Sequence, residues 1–312
     1  CRLIYIENDD KDRVFTIGFN TLPDNDKGIP HIVEHSVLCG SENFNVKDPF
    51  NILDKGSIHT YLNAMTYRDK TVYPIGSTNE ADFKTLMRVY CDAVFRPLMY
   101  KNEGIFRQEG WNSDGKGYNG IVLNEMKGVY SDPAVVLSEM LNKKMFEGCG
   151  YANDAGGNPD YITDLSYEEF LEFHKNHYHP SNAVIYLYGD IDINEYLNIL
   201  DNEFLSNFEY KEPPKPNKVV VNDNIDINIH YNTKSKNILT AAFNTGSSND
   251  ITKCTMLGVL STLLCYTEGG NIKEALLNNG LGDKVSCDFD DSGLSTILEI
   301  TVENSDENNT DK

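Results

Sequence analysis

The sequence predicts an α+β protein: an antiparallel sheet packed with helices, followed by the start of a second domain of similar pattern. Three observations carry this. Strand-like and helix-like segments follow one another in two series, strands then helices then strands, which is the signature of α+β layers. A single proline cluster, Lys211-Glu-Pro-Pro-Lys-Pro216, separates the two series and reads as a linker. The chain has 312 residues, more than the roughly 100–200 of one typical domain. The expected division is therefore a first domain over 1–210, a linker over 211–222, and an incomplete second domain over 223–312.

Taken in order, Arg2–Glu7 and Val14–Thr21 are rich in β-branched and aromatic residues and flank the turn formers Asn8-Asp9-Asp10. His31–Leu38 reads as a short helix, with Pro30 at its start and Gly40 just past its end. Ser57–Thr66 and Thr71–Gly76 are predicted strands. Apolar residues at Phe83, Leu86, Met87, Tyr90 and Val94 give a helical period over Asn79–Phe95. One long helix is expected over roughly Ile121–Phe146, then a glycine-rich loop over Gly148–Gly157. Helix Tyr167–His177, strand Ala183–Tyr188 and helix Ile193–Phe208 complete the first series. The second comprises strands Ile225–Tyr231 and Ile238–Asn244, helices Thr252–Leu264 and Ile272–Asn278, and strand Leu294–Val302. It ends in a polar stretch without closing helices, so the chain is expected to be the N-terminal piece of a longer protein.

Composition narrows the function. Lys and Arg number 27 against 48 Asp and Glu, a net charge of −21. Nucleic acids and anionic membranes need a basic face, so neither is expected as a partner. The acidity permits cationic partners, although a solvated acidic surface is its commoner meaning. The longest apolar run, Met256–Cys265, is about half the length of a membrane helix. Seven scattered cysteines without a Cys-x-x-Cys pair read as reduced thiols, which points to cytosol or an organelle matrix. No targeting segment is visible, and the chain opens on Cys1.

The chemistry concentrates in His31-Ile-Val-Glu34-His35. Positions i and i+4 of a helix share a face, so both imidazoles can reach one metal ion. Glu34 sits beside that pair, placed to take a proton from an activated water. The order is the inverse of the commoner zinc-protease motif. Catalytic zinc takes three protein ligands and keeps one position open, so a third ligand must come from elsewhere. Glu125, in Asn124-Glu125-Met126-Lys127-Gly128, is the best candidate, facing inward if Met126 and Val129 bracket the core stripe; with 48 acids present, sequence alone leaves the choice open. A rival set, His174, His177 and His179, lies at a helix end before Pro180, where histidines simply complement the helix dipole. His59 and His230 read as structural. The glycine loop lacks the phosphate-binding pattern and reads as a hinge or tight turn.

The run Gly28–Ser41 resembles the zinc helix of pitrilysin-type inverzincins, and within them the presequence protease and falcilysin subfamily. The resemblance continues through Leu62-Asn63-Ala64, Thr71–Pro74, Gln108–Trp111, Gly120–Gly128, Gly156–Pro159, His179–Asn182, Leu187–Asp190 and Leu276–Gly282. It implies one zinc ion per chain held by His31, His35 and Glu125, with Glu34 as general base. It also implies that the Asn63-Ala64 edge pairs with an extended peptide substrate, a general route of peptide recognition. The implied fold is the metallopeptidase domain of the pitrilysin and mitochondrial-processing-peptidase type, followed by a truncated homologous domain. The implied activity is endopeptidase cleavage of short unfolded peptides, in a monomer completed by a C-terminal half that supplies further substrate-facing residues. Two alternatives stand beside it: a non-catalytic, substrate-holding subunit of this architecture, and a fragment that binds zinc and peptide but is inactive alone. The segment between Trp111 and Tyr118 is shorter than the resemblance leads one to expect.

Overall fold

The computed structural model describes residues 1–215, 219–222, 225–229 and 237–306. Contacts divide the chain into two compact units, Cys1–Ser131 with Asn153–Asn217, and Asp132–Ala152 with Lys218–Lys312. In chain order the elements begin β1 (Arg2–Glu7), β2 (Arg13–Asn20), α1 (Ile29–Val37), α2 (Pro49–Gly56), β3 (Tyr61–Leu62), β4 (Met65–Thr66) and β5 (Lys70–Ser77). Next come α3 (Glu80–Phe95), α4 (Glu103–Glu109), β6 (Asn112–Ser113), β7 (Tyr118–Asn119), α5 (Ile121–Val129) and α6 (Pro133–Met145). The remainder is α7 (Pro159–Ile162), α8 (Tyr167–His177), β8 (Ala183–Gly189), α9 (Ile193–Glu203), β9 (Asn237–Ser247), α10 (Ile251–Cys265), α11 (Asn271–Asn278), β10 (Lys284–Asp290) and β11 (Ser295–Ser305). The fold is α+β.

The first unit is built on a sheet in the order β1-β8-β2-β5-β3, with β4 also paired to β5. β1 runs parallel to β8, and the other pairs are antiparallel. Alternation along β2 turns Phe15, Ile17 and Phe19 to one face, level with Ile185 and Leu187 of β8 and Tyr73 and Ile75 of β5. Helical residues including Ile32, Val33, Phe83, Leu86, Tyr90 and Phe170 share this core. Each fully buried side chain of this kind stabilises by about 1.5–3 kcal/mol, which anchors the helices that carry the site.

Two expected elements are interrupted, each for a covalent reason. The predicted strand Ser57–Thr66 survives as β3 and β4, which keep one register against β5: Tyr61 opposite Gly76, Leu62 opposite Ile75, Met65 opposite Val72 and Thr66 opposite Thr71. The break falls at Asn63-Ala64. Asn63 N donates to Pro74 O at 3.2 Å, but Pro74 has no N–H to return the bond. Asn63 O accepts from Tyr90 Oη instead, at 3.3 Å. The long helix expected over Ile121–Phe146 is two helices, because Pro133 cannot continue α5; Asp132 caps α6 by accepting from Ala134 N at 2.9 Å. The last helix of the first series stops at Glu203, short of Phe208.

α2 and α4 are short helices that the apolar period does not announce. The short segment after Trp111 is the β6-β7 hairpin, closed by Lys116 N and Gly117 N donating to Asp114 Oδ1 at 2.8 and 2.9 Å. A Cβ on Gly120 would collide with the Gly110 carbonyl, so the glycine at 120 lets the start of α5 meet the end of α4.

The second unit contains an antiparallel sheet in the order β10-β11-β9, with Cys265, Val285, Cys287 and Val302 at its core. β10 lies where no strand was expected. Residues 225–229 of the expected strand Ile225–Tyr231 are not a strand; residues 230 and 231 lie outside the described residues. Among the described residues no helix is long and apolar enough to cross a membrane.

Candidate metal centre

α1 begins at Gly28, whose φ of 68° is left-handed, with Pro30 in the first turn. A Cβ on Gly28 would lie 2.7 Å from Gly156 O and 2.9 Å from Gly157 Cα. Only glycine lets the 153–157 loop approach this closely. Asp154 N and Asn158 N hold the loop there, donating to Asp26 Oδ1 and Asp26 O at 3.0 and 2.9 Å. The glycine-rich segment is thus a clamp on the start of α1.

The helical spacing sets the two imidazoles side by side, ring centroids 4.9 Å apart. His31 Nε2 and His35 Nε2 each lie 3.8 Å from Glu125 Oε2 on α5. One ligand atom from each of the three residues lies within 4.8 Å of the others, the one such group of His, Cys, Asp or Glu among the described residues. Glu125 is half exposed, and the α5 residues that face the core are Val122, Leu123 and Met126; Val129, expected in that stripe, is exposed.

The far side of each imidazole is also occupied. His31 Nδ1 faces Gly156 O at 3.2 Å, and His35 Nδ1 faces Glu109 Oε2 at 3.3 Å. With each Nδ1–H donated backwards, both Nε2 lone pairs point at Glu125. Two imidazoles and a carboxylate are a zinc donor set, and the 3.8 Å from each imidazole to the carboxylate is close to the roughly 3.3 Å edge of a zinc tetrahedron. The residues fit a zinc ion.

Glu34 is buried beside the two histidines and accepts from Thr66 Oγ1 of β4 at 2.7 Å. Glu109 is buried at the end of α4, where Gln108 Nε2 and Cys39 Sγ donate to its Oε1 at 2.8 and 3.2 Å. Burial works against ionisation at both members of the His35–Glu109 pair, and the partners overcome it. His35 is raised above its usual value by its bond to Glu109 and by the charges of Glu34, Glu109 and Glu125. The donors from His35, Gln108 and Cys39 hold Glu109 below the usual carboxylate range. Burial and the neighbouring carboxylate push the Cys39 thiol up.

A cavity of about 1060 Å³ opens onto this group, and its lining includes His31, Glu34, His35, Asn63, Ala64 and Glu125. All six residues singled out from the sequence therefore face one space. Glu109, Thr66 and Gly156 were not singled out as site residues, although Gln108–Trp111 and Gly156–Pro159 marked the segments of two of them. The rival histidines do not converge. His174 Nε2 faces Val94 O at 3.0 Å and its Nδ1 faces Tyr100 Oη at 2.8 Å. His177 Nδ1 faces Phe173 O at 2.9 Å, and His179 Nδ1 accepts from Ser181 N at 3.2 Å. His59 Nδ1 bonds Ser57 Oγ at 2.7 Å in the turn before β3, and His230 lies outside the described residues.

Comparison with known proteins finds relatives of this chain. The family described as "Insulinase (Peptidase family M16)" matches residues 14–154, and "Peptidase M16 inactive domain" matches residues 164–312. The protein HypA of Clostridium perfringens is 43% identical over 99% of this chain and 33% of its own length. Presequence protease 1, chloroplastic/mitochondrial, of Arabidopsis thaliana is 38% identical over 100% of this chain and 30% of its own length. The chain thus spans about a third of the curated relatives it matches. A crystal structure of a protease from Helicobacter pylori shares the fold, with a TM-score of 0.72 at 15% identity, over 98% of this chain and 73% of that one. The two consecutive family matches and the relatives together show that the chain belongs to peptidase family M16.

Proposed function

We propose that this chain carries the catalytic centre of a zinc endopeptidase that hydrolyses short, unfolded peptides. The observation that carries the reading is the convergence of His31 Nε2, His35 Nε2 and Glu125 Oε2, with Glu34 alongside and both Nδ1 atoms engaged behind. His31, His35 and Glu125 would hold the ion. Bound there, zinc supplies a Lewis acid for the scissile carbonyl and makes water acidic near neutral pH. Glu34 takes the proton of the attacking water and passes it to the leaving amine nitrogen. Thr66 holds one Glu34 oxygen, which leaves the other for that proton. The interrupted edge at Asn63-Ala64 receives the extended substrate chain as an added strand.

The same reading takes 1–210 as the catalytic domain, 211–222 as linker and the rest as part of a second, homologous domain. The complete protein works as a monomer, with its C-terminal half closing the peptide chamber. The reduced cysteines fit a cytosolic or matrix location, and several relatives are named as mitochondrial or chloroplastic. Relatives that only hold substrate commonly lack an intact metal motif, and the complete set here weighs against that alternative.

The test is Glu34→Gln in the complete protein. Zinc content is expected to stay stoichiometric while peptide cleavage falls on the order of 10²–10⁴-fold. His35→Ala is expected to lose the metal. A Glu34→Gln protein that cleaves normally sinks the assigned mechanism, and full zinc in His35→Ala sinks the ligand set.

A further inference from the structure

We propose that Tyr90 is a positioning residue for peptide binding: its buried hydroxyl turns the peptide plane between Asn63 and Ala64 so that the Ala64 N–H faces the open edge of the sheet. This rests on the reading of Asn63-Ala64 as the strand that receives substrate, and it names what fixes the direction of that strand's donor.

Strand register carries straight through the break between β3 and β4. Leu62 stands opposite Ile75 and Met65 opposite Val72, so Asn63 faces Pro74 and Ala64 faces Tyr73. In an antiparallel pair, opposed residues alternate between exchanging both backbone hydrogen bonds and exchanging none. Asn63 and Pro74 are of the first kind, since Asn63 N donates to Pro74 O at 3.2 Å. The return bond needs an N–H that proline lacks, so the ladder itself does not hold the Asn63 carbonyl toward β5.

Tyr90 supplies the missing donor. It lies on α3 at 1% exposure, its ring edge-on to Tyr73 with centroids 6.4 Å apart, and its Oη donates to Asn63 O at 3.3 Å. Phenylalanine would fill the same space with no hydroxyl to desolvate, so packing alone does not account for a tyrosine. Burial, with Glu34 and Tyr61 nearby, pushes its pKa up, and the hydroxyl keeps the proton that it donates.

Peptide planarity carries this contact to the other side of the strand. The Asn63 carbonyl and the Ala64 N–H belong to one trans peptide and point in opposite directions. With the carbonyl held inward by Tyr90, the N–H turns away from β5, on the side where β3 ends the sheet. There it donates to Asn63 Oδ1 at 2.9 Å, an exposed side chain that an incoming carbonyl can displace. The ligand it suits is the backbone of an extended peptide, recognised by main-chain bonds. Ala64 and Thr66 line the same cavity, and Thr66 holds Glu34, so the outward N–H lies two residues from the group that orients the proposed base.

The experiment uses the complete protein stripped of zinc by a chelator, so that a fluorescein-labelled unstructured peptide binds without being cut. Its Kd and the deuterium uptake of residues 61–67 are measured for wild type, Tyr90→Phe and the double variant Tyr90→Phe/Pro74→Ala. In wild type, bound peptide is expected to slow exchange over 61–67. Tyr90→Phe is expected to raise Kd about 2- to 10-fold, the worth of one hydrogen bond, and to lose part of that protection while still taking up stoichiometric zinc. Pro74→Ala gives residue 74 an N–H opposite the Asn63 carbonyl, and in the double variant it is expected to restore most of the lost affinity. Damage to packing would not be repaired by removing a buried proline. An unchanged Kd in Tyr90→Phe, or a loss that Pro74→Ala leaves in place, overturns the proposal and leaves the substrate edge standing. Bound peptide that gives no protection over 61–67 in wild type overturns the edge reading, and this inference with it.

Discussion

Histidine is the residue type on which the reading turns, and its environment separates two roles. His31 and His35 show one nitrogen to a shared space and the other to a fixed acceptor. His174 has both nitrogens committed to Val94 and Tyr100, and it is buried among aromatic rings. Burial pushes its pKa down to about 3, and His177 moves in the same direction for the same cause. The folded state therefore keeps His174 neutral where the unfolded chain, near 6.5, takes up a proton. This contribution to stability is complete above about pH 6.5 and is lost as pH falls toward 3, roughly 2 kcal/mol by pH 5. Denaturant unfolding at pH 7.5 and pH 5 is expected to show that loss, and His174→Gln to flatten it. Equal slopes for the two proteins would remove His174 as the cause. The His-x-x-Glu-His spacing was legible because i and i+4 adjacency is local. Glu109, Thr66 and Gly156 were not, because each meets α1 from a segment remote in sequence.

At the scale of elements, the ends are written in short-range chemistry and the interruptions in prolines. α8 matches its expected bounds, Tyr167–His177, because a capping box starts it. Glu169 N donates to Ser166 Oγ at 3.2 Å, and Ser166 N donates to Glu169 Oε2 at 3.0 Å. Ser166→Ala is expected to cost about 1 kcal/mol in chemical denaturation and to leave zinc content unchanged. A loss of metal in that variant would tie α8 to the centre more closely than its contacts do. Pro133 and Pro74 were visible in the sequence. That the first divides a helix, and the second frees the Asn63 carbonyl for Tyr90, depends on what each faces in the fold.

For the whole molecule, the net charge of −21 gains one local meaning. Glu34, Asp48, Glu109 and Glu125 line the cavity against a single lysine, Lys47. Exposed charges act through solvent and are screened within about 10 Å at 0.1 M salt. If the acidic lining favours cationic peptides, their cleavage slows as salt rises, while neutral peptides of the same length are little affected. Rates indifferent to peptide charge at low salt would assign the acidity to solvated surface alone. Most of the acids remain such a surface. The chain spans about a third of its relatives, so these measurements belong to the complete protein.

The sequence by itself determined the α+β class, the helix that carries His31, Glu34 and His35 with its glycine and proline start, the helix over residues 80–95 and the helix over 167–177. The class follows from the order of the segments, and the helices from spacings within a few turns. Tertiary structure decided which of 48 acids meets the histidines, which groups stand behind them, and how the glycine loop is used. At the start of α5, which carries Glu125, Gly120 lets the backbone meet the end of α4, and Gly28 and Gly157 do the same for the loop that carries Gly156 and the start of α1. Such approaches depend on a missing Cβ at one point and a partner backbone far along the chain, and no local period in the sequence records that pairing.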